Sequence, residues 1–119
     1  MTTQSTLLIG LALCVSCPMS VAAAQQSTAP DSRELYNKNC RQCHGTKGTP
    51  PKTMKAKFEH IADLSDTAHM AKISDDSLLV VIQKGIKDEK DMKGFADKLS
   101  PEEMKAIVAY VRSLSAKPQ

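Results

Sequence analysis

Cys40-Arg41-Gln42-Cys43-His44 decides how this chain is read. Two thiols three residues apart, followed at once by an imidazole, form the C-x-x-C-H pattern of covalent haem attachment. The spacing has a physical reason. Thiols one helical turn apart reach the two vinyl groups along one edge of a haem, and the next residue then places an imidazole under the iron. A dithiol redox pair with this spacing is expected after a strand in an α/β pattern, and no segment of the chain shows strand alternation. A structural zinc site needs four ligands. Cys14 and Cys17 could join Cys40 and Cys43 in such a site only if the apolar leader were kept and folded. A plain disulfide between Cys40 and Cys43 is the third alternative. The expectation is one covalent haem c, attached through Cys40 and Cys43, with His44 as an axial iron ligand.

The flanking sequence is helical. From Asp31 or Ser32 as N-cap, the spacing of Leu35, Tyr36, Asn39, Cys40 and Cys43 predicts a first helix over Arg33 to Gln42 that delivers both cysteines to one side. Two glycines and two prolines between Gly45 and Pro51 predict a loop. Shorter helical turns are expected over Thr53–His60 and Asp66–Ile73. Ser74 as cap, acidic Asp75 and Asp76, the stripe Leu78, Val81, Ile82 and a closing Gly85 predict a helix over Asp75–Lys84. The clearest element is the last. Ser100-Pro101-Glu102-Glu103 is a capping box with Pro at the first helical position, and Met104, Ile107, Val108, Val111 and Leu114 fall on one face before Lys117-Pro118. The fold class is therefore all-α, with three to five helices around one haem and the first and last helices packed together.

Residues 1–24 hold no Lys, Arg, Asp or Glu, whereas all 16 basic and 13 acidic residues lie between Asp31 and Lys117. The apolar run Leu7 to Val15, followed by Val21-Ala22-Ala23-Ala24, has the form of a signal peptide cleaved before Gln25. Pro18 and Ser20 interrupt it well short of the ~20 apolar residues needed to span a bilayer. Leu13 stands where a lipobox wants a small residue before Cys14, so lipidation is disfavoured as well. The expected organisation is a signal peptide over 1–24, a flexible lead-in over 25–31 and one domain over 32–119, exported to the periplasm. With only Tyr36, Phe58, Phe95 and Tyr110 as aromatics and no Trp, so small a domain buries a marginal core unaided. A haem would supply the apolar surface that the chain itself lacks.

Leu35-Tyr36, Cys40-Arg41-Gln42-Cys43-His44-Gly45, Ala62-Asp63-Leu64, Met92-Lys93-Gly94-Phe95-Ala96-Asp97-Lys98-Leu99-Ser100 and Ala109-Tyr110-Val111-Arg112-Ser113-Leu114 occur in that order. Together they resemble the landmarks of the class I c-type cytochromes of the short bacterial kind, across about residues 33–115. The resemblance implies the cytochrome c fold, with a haem slotted between helices and one edge exposed. It also implies Met92 as the second axial ligand, in a Gly- and Lys-rich stretch eight residues before the Ser100 cap. A His/Met pair of this kind raises the reduction potential. Lys93 stands where the family often has Pro. The family's proline carbonyl that steadies the ligand imidazole has Pro50 or Pro51 as its candidate. Phe95 and Tyr110 are expected to wall the haem pocket, and Met104 to be core. Met54, Met70, or His60 and His69 in a bis-His arrangement remain alternatives to Met92.

The net charge is +3, but its distribution says more. Lys38, Arg41, Lys47, Lys52, Lys55 and Lys57 fall between Tyr36 and Lys57 without an acid, while Glu59 to Gln83 carries five acids against Lys72 alone. Such a dipole suits redox protein partners with an acidic docking surface. A merely solvated face is the competing reading. Export and the absence of interleaved aromatics argue against nucleic acid. The expected function is transfer of single electrons between periplasmic or membrane redox partners, by a monomer without a small-molecule substrate. A subunit of a dehydrogenase or oxidase complex, and a haem enzyme with a labile sixth site, are the alternatives.

Overall fold

The computed structural model describes residues 30–86 and 92–116. Within them the chain forms six helices: α1 (Ser32–Asn39), α2 (Arg41–His44), α3 (Lys52–Lys57), α4 (Thr67–Met70), α5 (Asp75–Lys84) and α6 (Pro101–Ser115). The described residues contain no strand, only one isolated antiparallel bridge between Gly85 and Lys93. The segments expected as signal peptide and most of the lead-in, and the terminal Lys117-Pro118, lie outside the described residues.

All-α is the class expected, and the helix count exceeds three to five for a local reason. The first helix breaks at Cys40, whose φ of −119° departs from helical values, so α1 and α2 are separate segments. Asp31 caps α1, its Oδ1 accepting from the amides of Arg33 at 3.0 Å and Glu34 at 3.1 Å. The segment predicted over Thr53–His60 ends earlier, because Phe58 turns into extended backbone. That over Asp66–Ile73 is a single turn capped by Asp66, which accepts from the His69 amide. Helix α5 keeps its predicted bounds, with the Ser74 hydroxyl accepting from the Ser77 amide. In α6 the capping box is complete: Glu103 N–H donates to Ser100 Oγ at 3.2 Å, and Ser100 N–H donates to Glu103 Oε2 at 2.8 Å.

Helix α6 is the spine of the domain. Met104, Ile107, Val108, Val111 and Leu114 are all buried on one face, and such burial is worth roughly 1.5–3 kcal/mol for each large aliphatic side chain. Helices α1, α4 and α5 all pack on it. On the α1 side the seam is aromatic: Tyr36 is fully buried, its ring centroid 5.1 Å from that of Tyr110 at 48° between planes. On the other side Arg112 ties the α4–α5 connection down. Its guanidinium donates to Asp75 Oδ1 at 2.6 Å, to the Met70 carbonyl at 2.6 Å and to the Ile73 carbonyl. The Thr67 hydroxyl adds a bond to the Ser115 carbonyl at 2.7 Å.

Arg112→Ala would leave the Ile73 carbonyl without its donor and the Met70 carbonyl with only the Ile73 amide at 3.2 Å, and hydrogen bonds to charged donors contribute about 1.5–3 kcal/mol each. The expected loss is about 2 kcal/mol of unfolding free energy, read from urea denaturation of the haem-loaded protein. An unchanged midpoint would mean that water replaces the guanidinium without cost.

Candidate functional site

The site begins at the end of α1. Tyr36 lies four residues before Cys40, and its hydroxyl donates to the Gly45 carbonyl at 2.7 Å, so one buried side chain brackets the whole Cys40–His44 segment. Burial, with the nearby Cys40 and Tyr110 adding, pushes the Tyr36 phenol above its ordinary range and keeps it a donor. Between those anchors Cys40 closes α1 through its amide to the Tyr36 carbonyl, and α2 makes one turn to His44. Cys40 and Cys43 are half-buried, unpaired thiols. Burial, reinforced by Cys43, pushes the Cys40 thiol up to about 11, so it stays protonated at neutral pH.

His44 is oriented by backbone. Its Nδ1 lies 3.1 Å from the Ala62 carbonyl. A carbonyl only accepts, so the proton sits on Nδ1 and the lone pair on Nε2 is left for a metal. Burial lowers the pKa of the ring, against the opposing effects of the Ala62 bond and the Asp63 charge, so the imidazole is neutral near pH 7. The proline expected to brace it does not do so. Pro50 and Pro51 precede α3, while the carbonyl that reaches His44 belongs to the chain after α3, where Ala62 stands. A backbone acceptor has no side-chain signature, and for that reason sequence reasoning missed it.

Both thiols and His44 lie on the wall of a cavity of about 370 Å³, within the range of about 300–1,000 Å³ usual for bound small molecules and cofactors. Apart from the thiols, three imidazoles, Asn39 and the thioethers of Met70 and Met92, the described wall is aliphatic or aromatic. Helix α6 contributes Ile107, Val108 and Val111, and α5 contributes Leu78, Val81 and Ile82. Apolar walls with two thiols and an imidazole at one place suit a flat, mostly apolar macrocycle carrying a metal. The residues therefore fit a haem.

Met92 also lines the cavity. Its backbone is held against the end of α5, since the Ile86 amide donates to the Met92 carbonyl at 3.1 Å and the Phe95 amide to the Ile82 carbonyl at 2.8 Å. Two glycines make this approach feasible. Gly85, at φ +73°, would drive a Cβ into the Met92 carbonyl, and a Cβ on Gly94 would strike the Gln83 carbonyl. Phe95 is on the wall as expected. Tyr110 is not: it lies outside the lining, because its ring is engaged with Tyr36 in the α1–α6 seam. Of the alternative ligands, Met70, His60 and His69 line the cavity, Met54 is absent from its described wall, and Met104 lies in the core.

A helical frame with these groups at one cavity defines a small c-type cytochrome domain. The model of the family described as cytochrome c oxidase, cbb3-type, subunit III, matches residues 27–111. The chain belongs to that family. It is similar to the solved structure of the KustC0563 c-type cytochrome, with 33% sequence identity, a TM-score of 0.63, and coverage of 71% of this chain and 98% of that one. A tyrosine-to-phenylalanine point mutant of Kustc0563 matches in the same way, with 32% identity, a TM-score of 0.62, and coverage of 71% and 99%. No curated protein matches. Membership implies a covalently bound haem c and electron transfer.

Attachment through the Cys40 and Cys43 pair predicts that acid–acetone extraction leaves the haem on the protein, with an intact mass of one haem per chain. Cys40→Ala with Cys43→Ala should release all of it. Complete extraction from the wild type would rule out thioether bonds.

Proposed function

We propose that this chain is an exported carrier of single electrons, with Cys40 and Cys43 holding haem c by thioethers and His44 and Met92 as the two axial ligands. One observation supports this most: both thiols, the bare imidazole nitrogen and the Met92 side chain share the wall of a single apolar cavity. Haem bound there supplies a reversible one-electron iron couple. The chain's part is to keep that couple dry and rigid. Aliphatic walls exclude water, the Ala62 carbonyl fixes the ring of His44, and the ladder between α5 and the Met92 segment presents a thioether from backbone that is itself hydrogen-bonded. Met70 is a weaker candidate because it belongs to the buried core, and His60 and His69 are exposed. No helix among the described residues is long and apolar enough to cross a membrane. The apolar leader over residues 1–24 supports periplasmic export.

A permanent place as an oxidase subunit is the second reading, favoured by the family's own description. The partner we propose is a redox protein with an acidic surface. Lys38, Arg41, Lys47 and Lys52 are exposed on and around the attachment segment, and none of them enters the two salt bridges of the described residues, Lys55–Asp63 and Arg112–Asp75.

Met92 decides between carrier and enzyme, since a bound thioether closes the sixth site. The oxidised wild type should show the weak near-infrared sulfur-to-iron band, and Met92→Ala should lose it and gain carbon monoxide binding. Ready binding of carbon monoxide by the wild type would favour an enzyme. For docking, Lys47→Glu with Lys52→Glu should slow electron transfer to an acidic partner roughly threefold to tenfold at low ionic strength. The difference should vanish at high salt, where screening falls below about 10 Å. Equal rates at both salts would leave the basic stretch a solvated face.

A further inference from the structure

The turn that carries the Ala62 carbonyl is itself held, and Asp63 is its hub. Asp63 Oδ1 accepts from the Ser65 amide at 3.1 Å and from the Ser65 hydroxyl at 2.5 Å. Ser65 is buried, and its Oγ lies 2.7 Å from Thr49 Oγ1. The Leu64 amide donates to the Gly48 carbonyl at 2.9 Å, so the turn is stitched to the loop that leaves His44. The other carboxylate oxygen, Oδ2, is 3.5 Å from Lys55 Nζ on α3. The turn itself thus supplies the Ser65 donors at Asp63, and the neighbouring helix supplies its cation.

Asp63 is an anion here. Burial opposes ionisation, but the two Ser65 donors and Lys55 hold its carboxyl below the ordinary carboxylate value. Its charge reaches the ligand ring, acting on His44 in the sense that favours a proton. We propose that Asp63 is a positioning residue for His44: it keeps the Ala62 carbonyl on the imidazole Nδ1 and places a fixed negative charge, partly balanced by Lys55, near the His44 ring. This rests on His44 being an axial ligand. The two effects separate by substitution. Ser65→Ala loosens the turn without changing charge, whereas Asp63→Ala loosens it and also removes the anion. A negative charge favours the ferric over the ferrous state, so its removal shifts the couple toward ferrous, and loss of the Lys55 cation shifts it back.

Two quantities on the haem-loaded protein test this: solvent exchange of the His44 Nδ1 proton by NMR in the ferrous state, and the ferric-to-ferrous ratio at the wild-type midpoint potential. Ser65→Ala should speed exchange about tenfold, the factor that corresponds to about 1.4 kcal/mol or one ordinary hydrogen bond, with the ratio unchanged. Asp63→Ala should speed exchange and lower the ratio on the order of threefold, as expected for one partly screened charge. Lys55→Met should raise the ratio by a similar factor. An Asp63→Ala protein that leaves either quantity at its wild-type value overturns the proposal. A His44→Gly protein that keeps the wild-type low-spin spectrum would instead overturn the ligand reading beneath it. Loss of that spectrum in His44→Gly, together with an unaltered Asp63→Ala, removes the role of Asp63 alone.

Discussion

The buried contact of Tyr36 with α6 is the constraint on which the rest of this domain depends. A side chain with no exposed surface places α1 on the spine helix, and its ring meets Tyr110 at 5.1 Å. The same residue's hydroxyl reaches past the attachment segment to the Gly45 carbonyl. Packing and polar bonding of one residue therefore determine where two thiols and an imidazole stand relative to the cavity wall supplied by Ile107, Val108 and Val111. Each tyrosine on this seam excludes the other from the cavity, which is why an aromatic on α6 contributes to the frame and not to the pocket.

Outside the long helices, position is set by backbone groups. Among the described residues the chain from Gly45 to Ser74 contains only two short helices, yet it carries a large part of one cavity wall. Carbonyls in such a segment need donors or water, and beside the local turn amides side chains supply them: His44 Nδ1 for Ala62, and Arg112 for Met70 and Ile73. The consequence is mechanical. Each of these bonds satisfies a carbonyl and at the same time locks an element that faces the cavity, so the irregular half of the domain is tied to α2 and to α6. The Met92 segment obeys the same logic at the end of α5, where two residues without side chains let backbone approach backbone.

A small chain with four aromatic residues leaves a cavity at its centre where a larger protein would place its own core. That cavity belongs with the family to which the chain is assigned, in which a haem c is held covalently. The apolar walls then have two uses that do not conflict. They complete the core around the macrocycle, and they keep the iron site low in dielectric, where small displacements of fixed charges and dipoles are felt strongly.

Much of this was legible in the sequence, and what was not has a common cause. Local signals carried the helices: Ser74 and Gly85 bracket α5, and the Ser100–Glu103 capping box starts α6, because capping depends on residues within one turn of each other. The C-x-x-C-H spacing carried the expectation of attachment for the same reason, since the thiols and the imidazole are neighbours in the chain. The exclusion of Tyr110 from the pocket and the choice of Ala62 over a proline as the imidazole's partner were decided only by tertiary structure. Each depends on what arrives from a distant part of the chain: the Tyr36 ring at Tyr110, and a carbonyl 18 residues beyond His44. Spacing and side-chain type determine the chemistry that this protein can hold, whereas long-range packing decides which backbone atom orients it.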